Sequence, residues 1–286
     1  LKVCVVHLVW APLGIEPFRR FLVSYRKHPS GIAHRLLIVY NGFSKHDDPA
    51  AYAHVCRSED YDSLILPRPV QDIAAYFNAA RASDADDLCF LNSYSEILDD
   101  DWLSKLHAPL HSEGVELVGA TGSWESMYSD LIEHRSSPPD WWTPRGLRTR
   151  LRQRYALARA RRAFAPFPNP HVRTNAFMMS RTRLLSLGMP KVRNKNEAHR
   201  FESGRSGLTA RIQLADMQVR VVDRFGRAWA PREWRVSRTF RAGEQANLLI
   251  ADNRTRDFEQ ADEKTRRYLA RLAWGAAESP EMEPDA

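Results

Sequence analysis

Short, wholly apolar runs alternate here with segments of helical periodicity, and that alternation restricts the chain to few architectures. Val3–Val9 (VCVVHLV) reads as a strand buried on both faces. In Ile15–His28, Phe18, Phe21, Leu22 and Tyr25 fall at i, i+3, i+4 and i+7, one helical face, with Pro17 tolerated in the first turn. Leu36–Tyr40 is a second buried strand, closed by the turn pair Asn41-Gly42. A helix over Asp72–Ala82 carries Ile73, Tyr76, Phe77 and Ala80 on one side. Next come a strand at Leu88–Leu91, a helix from about Asp100 to Leu110 and a short strand at Glu116–Ala120. Strands apolar on both faces belong in a parallel sheet sandwiched between helices. The pattern therefore predicts a Rossmann-like, three-layer α/β/α fold with a mostly parallel central sheet.

Between Ser123 and Pro170 the alternation fails, and prolines bracket an arginine-rich stretch that reads as an excursion from the sheet. Ala176–Ser180 returns as a strand and Arg181–Leu187 as a helical turn or two. Leu208–Ala215 is helical, and Val219–Val222 is a strand. Arg254–Trp274 reads as one amphipathic helix with Tyr268, Leu269 and Leu272 on its apolar face, and Ala276–Ala286 as a frayed acidic tail. These boundaries divide the chain into 1–122, 123–170, 171–235 and a C-terminal helical extension, 236–286. No internal repeat is visible.

No apolar run approaches the roughly 20 residues that span a bilayer. No basic–apolar signal segment opens the sequence. The three cysteines, Cys4, Cys56 and Cys89, have no paired spacing. That argues against a disulfide framework or a zinc site and for a reducing, cytoplasmic setting. The net charge of +7 is unevenly spread: residues 1–143 hold 12 Lys/Arg against 20 Asp/Glu, and residues 144–286 hold 30 against 15. So steep a split points to an anionic partner for the second half.

In an open parallel sheet, ligands bind beyond the carboxyl ends of the strands. The segments there are Trp10–Gly14, Tyr40–Ser44 and Asn92–Glu96. Asn92, Ser93, Tyr94, Ser95 and Glu96 are polar groups at a strand end, too far ahead of the next helix to serve as its cap. Asp99–Asp101, by contrast, suit the positive end of that helix. Asp47 and Asp48, with His46, read as solvated turn residues, and His7 as a buried histidine with its hydrogen bonds satisfied. Gly204-Arg205-Ser206-Gly207 offers a two-glycine loop of the kind that forms an anion-binding nest.

The run FLNSYSEILDDDWLSKL at Phe90–Leu106, with VYNGFS at Val39–Ser44, resembles the nucleotide-binding half of family 2-like glycosyltransferases with the A-type fold. Leu91, Asn92, Glu96, Asp101, Trp102 and Leu103 match that family's strand-end pattern, and the likeness covers roughly residues 3–225. It implies that 1–122 is the nucleotide-sugar half and 171–235 the acceptor-side half of one domain. It also implies transfer of a sugar from a nucleotide diphosphate to a saccharide, lipid-linked or protein acceptor. Donor contacts are then expected from Trp10, Tyr40, Asn41, Asp72, Tyr76, Asn78, Asn92, Tyr94, Glu96, Arg173, Asn175 and Arg205, and the general base from Glu202. The family's carboxylate for Mg²⁺ or Mn²⁺ is replaced here by Tyr94. Either Glu96 holds the cation or arginines stand in for it. With Tyr94 and Tyr40 where the family has aspartates, a catalytically silent binding module is the alternative reading.

Arg145, Arg148, Arg150, Arg152, Arg154, Arg159, Arg161 and Arg162 follow one another without an intervening acid. Trp141 and Trp142 precede them, and Phe164 and Phe167 follow. Such a segment suits an anionic membrane surface carrying a lipid-linked acceptor, at the inner face of the membrane. An RNA-binding use of residues 145–162 is the weaker reading, since no RNA-recognition motif is present and the first half is acidic.

Overall fold

The computed structural model describes residues 1–44, 47, 49–133 and 143–276. His46, Asp48, Trp141, Trp142 and most of the acidic tail lie outside the described residues. In chain order the elements are β1 (Val3–Trp10), α1 (Glu16–Lys27), β2 (Arg35–Asn41), α2 (Pro49–Cys56), β3 (Tyr61–Ile65) and α3 (Asp72–Ala82). Then follow β4 (Asp87–Leu91), β5 (Glu96–Ile97), α4 (Trp102–Leu110), β6 (Val115–Gly119), β7 (Gly122–Ser123), α5 (Met127–Glu133) and α6 (Pro144–Ala163). The chain continues through β8 (His171–Val172), β9 (Ala176–Ser180), α7 (Arg181–Ser186), α8 (Lys195–Ser203), α9 (Leu208–Gln213), β10 (Gln218–Val222) and β11 (Ala228–Trp229). It ends with β12 (Ile250–Ala251), α10 (Asn253–Gln260) and α11 (Glu263–Trp274).

The central sheet has eight strands in the order β11-β10-β6-β9-β4-β1-β2-β3. β1 pairs in parallel with β2 and β4, β2 with β3, and β6 with β10. β9 runs antiparallel between β4 and β6. The expected α/β/α layering is therefore present, with one reversed strand near the middle. Strand order turns back between β1 and β4, which is the switch point where such sheets open a crevice.

Both faces of the sheet are covered, and residue parity assigns each side chain to a layer. Along β1, Cys4, Val6 and Leu8 pack with α3 and its neighbours, while Val3, Val5 and Val9 pack with α1 and α4. β2 repeats this, with Leu37 and Val39 on the α3 side and Leu36, Ile38 and Tyr40 on the α1 side. Within the proline- and arginine-rich stretch, Pro144–Ala163 form a 20-residue helix, α6, whose Thr143 cap accepts from the Gly146 N–H at 3.0 Å. The expected single C-terminal helix is two, because Asp252 and Asp262 each cap a helix start by accepting from Thr255 and Thr265 N–H. Leu269 and Leu272 face a cleft, while Ala273 and Trp274 are the buried members of α11.

All three cysteines are free and buried. His7 departs from expectation. Neither ring nitrogen has a hydrogen-bond partner among the described residues, and the imidazole is stacked 3.7 Å from Phe21 and 5.7 Å from Phe18, centroid to centroid. Burial pushes its pKa down to about 3. The unfolded chain takes up a proton below about pH 6.5 that the native state refuses, so stability falls from there toward pH 3. His7→Leu should flatten the stability–pH curve by up to about 1.4 kcal/mol per pH unit between pH 6 and 4, read by urea denaturation across that range.

Candidate active site

A cleft of about 990 Å³ opens at the carboxyl ends of β1 and β4, lined among others by Trp10, Asn41, Asp72, Asn92, Tyr94, Arg173, Asn175 and Glu202. Its floor follows from the ends of the strands. Gly42, at φ +77°, lies so close under the Trp10 indole that a Cβ there would stand 2.6 Å from the ring. Asn41 has opposite parity to Tyr40 and so faces the α3 side. Its amide donates to the Val70 carbonyl at 2.8 Å and accepts from the Val70 N–H at 3.1 Å, pinning the segment that delivers Asp72. Asn41 is thus a positioning residue whose polar atoms are already engaged.

At the end of β4, the Asn92 Oδ1 accepts from the Tyr94 N–H at 2.9 Å and the Ser95 hydroxyl at 3.2 Å, closing a tight turn. The Asn92 N–H donates to the Asn175 carbonyl at 2.9 Å. Asn175 accepts at Oδ1 from the Thr121 hydroxyl at 2.8 Å, and its buried Nδ2 has no partner among the described residues. A buried amide donor left open on a cleft wall is costly unless a ligand takes it.

Glu202 stands in the last turn of α8. Its Oε1 accepts from the Thr174 N–H and its Oε2 from the Thr174 hydroxyl, each at 3.2 Å. Asp72 faces the same wall. Burial pushes its carboxyl up, the Ile73 N–H pulls the other way, and the Glu202 charge adds to the rise. Burial also holds the nearby His171 imidazole below its usual range, against the charge of Glu202.

The opposite wall is cationic and comes from a segment the sequence reading took as plain helical extension. Residues 236–252 run irregularly along the cleft and contribute Phe240, Arg241 and Asp252, with Arg254 at the start of α10. Three indole N–H groups anchor this end of the chain: Trp234 to the Trp229 carbonyl (3.0 Å), Trp124 to Pro231 (2.8 Å) and Trp274 to Phe240 (2.8 Å). β12 then pairs with β5, stitching the segment to the turn after β4. Arg241 adopts φ +45°, is buried, and lies 3.5 Å from Glu125. Burial pulls its pKa down to about 10. Arg173 donates to Asp252 at 2.7 Å and to the Thr121 hydroxyl at 3.2 Å, and sits over the Phe240 ring at 4.2 Å. Burial alone would raise the Asp252 carboxyl, but Arg173, the Thr255 N–H and Arg256 outweigh it and hold the group below the usual carboxylate range.

Five expected donor contacts do not line the cleft. The Tyr40 ring packs against Phe43 and Tyr52 on the far face of the sheet, as strand parity dictates. Tyr76 is core, against Phe90 and Phe177, with its hydroxyl 3.5 Å from the Thr174 carbonyl. Asn78 donates to the Ala74 carbonyl of its own helix at 2.8 Å. Arg205 is exposed and donates to the Arg161 carbonyl at 3.1 Å. The loop around it is no anion nest, because the N–H groups of Gly204, Arg205 and Gly207 already donate to Arg200, Ala163 and Gly204 carbonyls. Glu96 pairs with Arg256 at 3.1 Å, and the same guanidinium donates to the Tyr94 carbonyl at 3.0 Å. The strand end therefore does not fit a divalent cation: Tyr94 offers a phenol where a carboxylate is needed, and the Glu96 carboxylate is neutralised by Arg256.

The sequence matches no protein-family model and no curated protein. Among solved structures, GalNAc-T7 with UDP, GalNAc and Mn²⁺ is similar at a TM-score of 0.50 and 14% identity, over 94% of this chain and 51% of that one. The mannosyltransferase PcManGT from Pyrobaculum calidifontis, in complex with GDP-Man and Mn²⁺, aligns at 0.49 and 12% over 83% of this chain and 60% of that one. TarS 1-349 of S. aureus aligns at 0.35 and 12%, over 49% and 39%. The chain thus spans between about two fifths and three fifths of the length of these proteins. The architecture shared with GalNAc-T7 is the A-type glycosyltransferase fold.

Arg173 and Asp252 tie the C-terminal segment to the sheet through a buried pair, with side-chain exposures of 11% and 1%. Arg173→Leu leaves the carboxylate buried without its cation and should cost about 3–5 kcal/mol of stability, measured by urea unfolding.

Proposed function

We propose that the chain is a glycosyltransferase that moves a sugar from a nucleotide diphosphate to a saccharide or lipid-linked acceptor. The observation that carries this reading is the convergence in one switch-point cleft of a carboxylate held by two hydrogen bonds, Glu202, with an open buried amide at Asn175 and a wall of arginines. Solved proteins of the same fold are described with nucleotide sugars or nucleotides bound. The fold restricts where such a ligand would sit, and the side chains suggest how it would react.

In this reading the diphosphate lies against Arg241, Arg254 and Lys195, since the Arg173 guanidinium is already committed to Asp252 and Thr121. The Asn175 Nδ2 donates to the donor. Glu202 accepts the proton of the acceptor hydroxyl while that oxygen attacks the anomeric carbon. The bond from that carbon to the diphosphate breaks, its electron pair leaving with the phosphate, where fixed guanidinium groups stabilise the charge. Thr174 aims the carboxylate by holding both oxygens, and each keeps a lone pair for the proton.

The silent binding module is the second reading, and the pairing of Glu96 with Arg256 beside Tyr94 favours it. Calorimetry with UDP, GDP, dTDP and CMP species tests both, and binding of none of them would end both. Turnover assays with nucleotide sugars then separate them. Glu202→Gln should lower turnover by about 10²–10⁴-fold with nucleotide affinity unchanged. No turnover by the wild-type protein despite nucleotide binding would leave the binding module.

α6 suggests where an acceptor would be met. Leu147, Leu151 and Tyr155 share one stripe at 57%, 57% and 71% exposure, among the exposed Arg148, Arg152, Arg154 and Arg159. A groove of about 570 Å³ beside it is lined by Tyr155, Arg159, Arg162, Arg200 and Ser206. An apolar stripe edged by guanidinium groups suits an anionic lipid surface. No described helix is long and apolar enough to cross a membrane. The chain should cosediment with phosphatidylglycerol vesicles and not with phosphatidylcholine ones. Arg148→Gln and Arg152→Gln should each weaken that binding about fivefold, and binding unaffected by salt or charge removal would contradict the assignment.

A further inference from the structure

One cluster of ligating side chains lies away from the cleft. Asp87 begins β4, at the amino end of the sheet, so roughly 16 Å of strand separates it from Asn92. His107 is in the last turn of α4 and His111 is its C-terminal cap residue. A spacing of four residues sets both imidazoles on one face of the helix. Their Nε2 atoms meet the same carboxylate oxygen, Asp87 Oδ2, at 3.2 and 2.8 Å, and lie 3.0 Å from each other. Among the described residues, no other trio of His, Cys, Asp or Glu converges in this way.

Protons alone satisfy this arrangement poorly. Three short contacts each call for one hydrogen, while each Nε2 carries at most one and an ionised carboxylate none. If both imidazoles point an N–H at Asp87, the two N–H groups crowd each other at 3.0 Å. If one nitrogen is bare, its lone pair faces the carboxylate or depends on a shared proton. A single cation bonded to all three atoms removes the conflict, because every one of them then acts as a donor of electrons.

We propose that Asp87, His107 and His111 form a binding site for a divalent transition metal, zinc above all, that clamps α4 to the amino end of β4. Tetrahedral ligands on bonds of about 2.0–2.1 Å stand about 3.3–3.4 Å apart, so the three atoms need to spread by only a few tenths of an ångström. The side chain of Asp87 is 3% exposed and is held by the sheet, while that of His111 is 40% exposed and free to adjust. Two imidazoles with one carboxylate select zinc, cobalt, nickel or copper over magnesium, manganese or calcium. The exposed side at His111 leaves the fourth position to water. The reading of the sequence against a zinc site weighed cysteine spacing alone and passed over His107-x-x-x-His111. This inference is independent of the proposed transferase activity, since the cluster lies at the other end of β4.

The test uses the full chain stripped of metal by a chelator, then titrated with zinc sulfate by calorimetry and with Co²⁺ by visible absorption. Expected are one Zn²⁺ per chain, a four-coordinate cobalt spectrum and no competition from Mg²⁺. Zinc should also raise the unfolding temperature. His111→Gln, at a half-exposed position that should not impair folding, and His107→Ala should each weaken binding beyond the 10- to 100-fold typical of outer-sphere losses. The double variant should lose both binding and the thermal shift. Wild-type protein that binds no zinc, or a double variant that binds it with unchanged stoichiometry and affinity, would overturn the proposal.

Discussion

Strand parity under a sheet covered on both faces is the constraint from which the rest follows. Successive side chains must enter opposite layers, so the last residues of each strand are divided between core and crevice with no freedom to negotiate. Tyr40 goes to the aromatic cluster with Phe43 and Tyr52, and Asn41 goes to the crevice side, where it clasps Val70. In β4, Leu91 joins the α1 and α4 side, while Asn92 begins the polar turn. Moving any of these runs by one residue would turn the amides into the α1 layer and the apolar side chains toward the crevice.

Charge balance is the second organising element. The cleft gathers Asp72, Glu125, Glu202 and Asp252 on one hand and Arg173, Arg241 and Arg254 on the other. Arg173 and Asp252 satisfy each other and serve as a fastening, whereas Arg241 is only loosely matched by Glu125. At the strand end, Arg256 occupies the Glu96 carboxylate and the Tyr94 carbonyl together. A guanidinium thus already sits where a carboxylate would otherwise attract a cation.

The strands that were legible in the sequence, β1, β2, β4, β6, β9 and β10, are those whose burial leaves a dense apolar run. β3 (YDSLI) was not, because it is a largely exposed edge whose apolar residues are interrupted by Asp62 and Ser63. α8 (KNEAHRFES) buries only Phe201 and Ser203 and shows almost no apolar stripe. Eight proposed site residues do line the cleft: six of them stand at strand ends or just before β9, where local geometry places them, while Asp72 opens α3 and Glu202 stands in the last turn of α8. Tyr76 and Asn78 were misplaced because a helical face can be recognised from spacing while the direction it faces cannot. Phe240, Arg241 and Arg254 had no local signal, being set by indole-to-carbonyl bonds from distant parts of the chain. The only trace was Asp252 three residues before Thr255, a capping pair at the head of α10.

The reversed strand β9 has a consequence for how the chain is made. Its two neighbours, β4 and β6, both leave the ribosome before it does, and they cannot complete their pairing until the whole α6 excursion has been synthesised. At roughly 5–20 residues per second that delay is on the order of seconds. Throughout it, two apolar strand edges in the nascent protein stand open and invite misjoining, so this molecule should lean on holdase chaperones more heavily than a sheet assembled in sequence order.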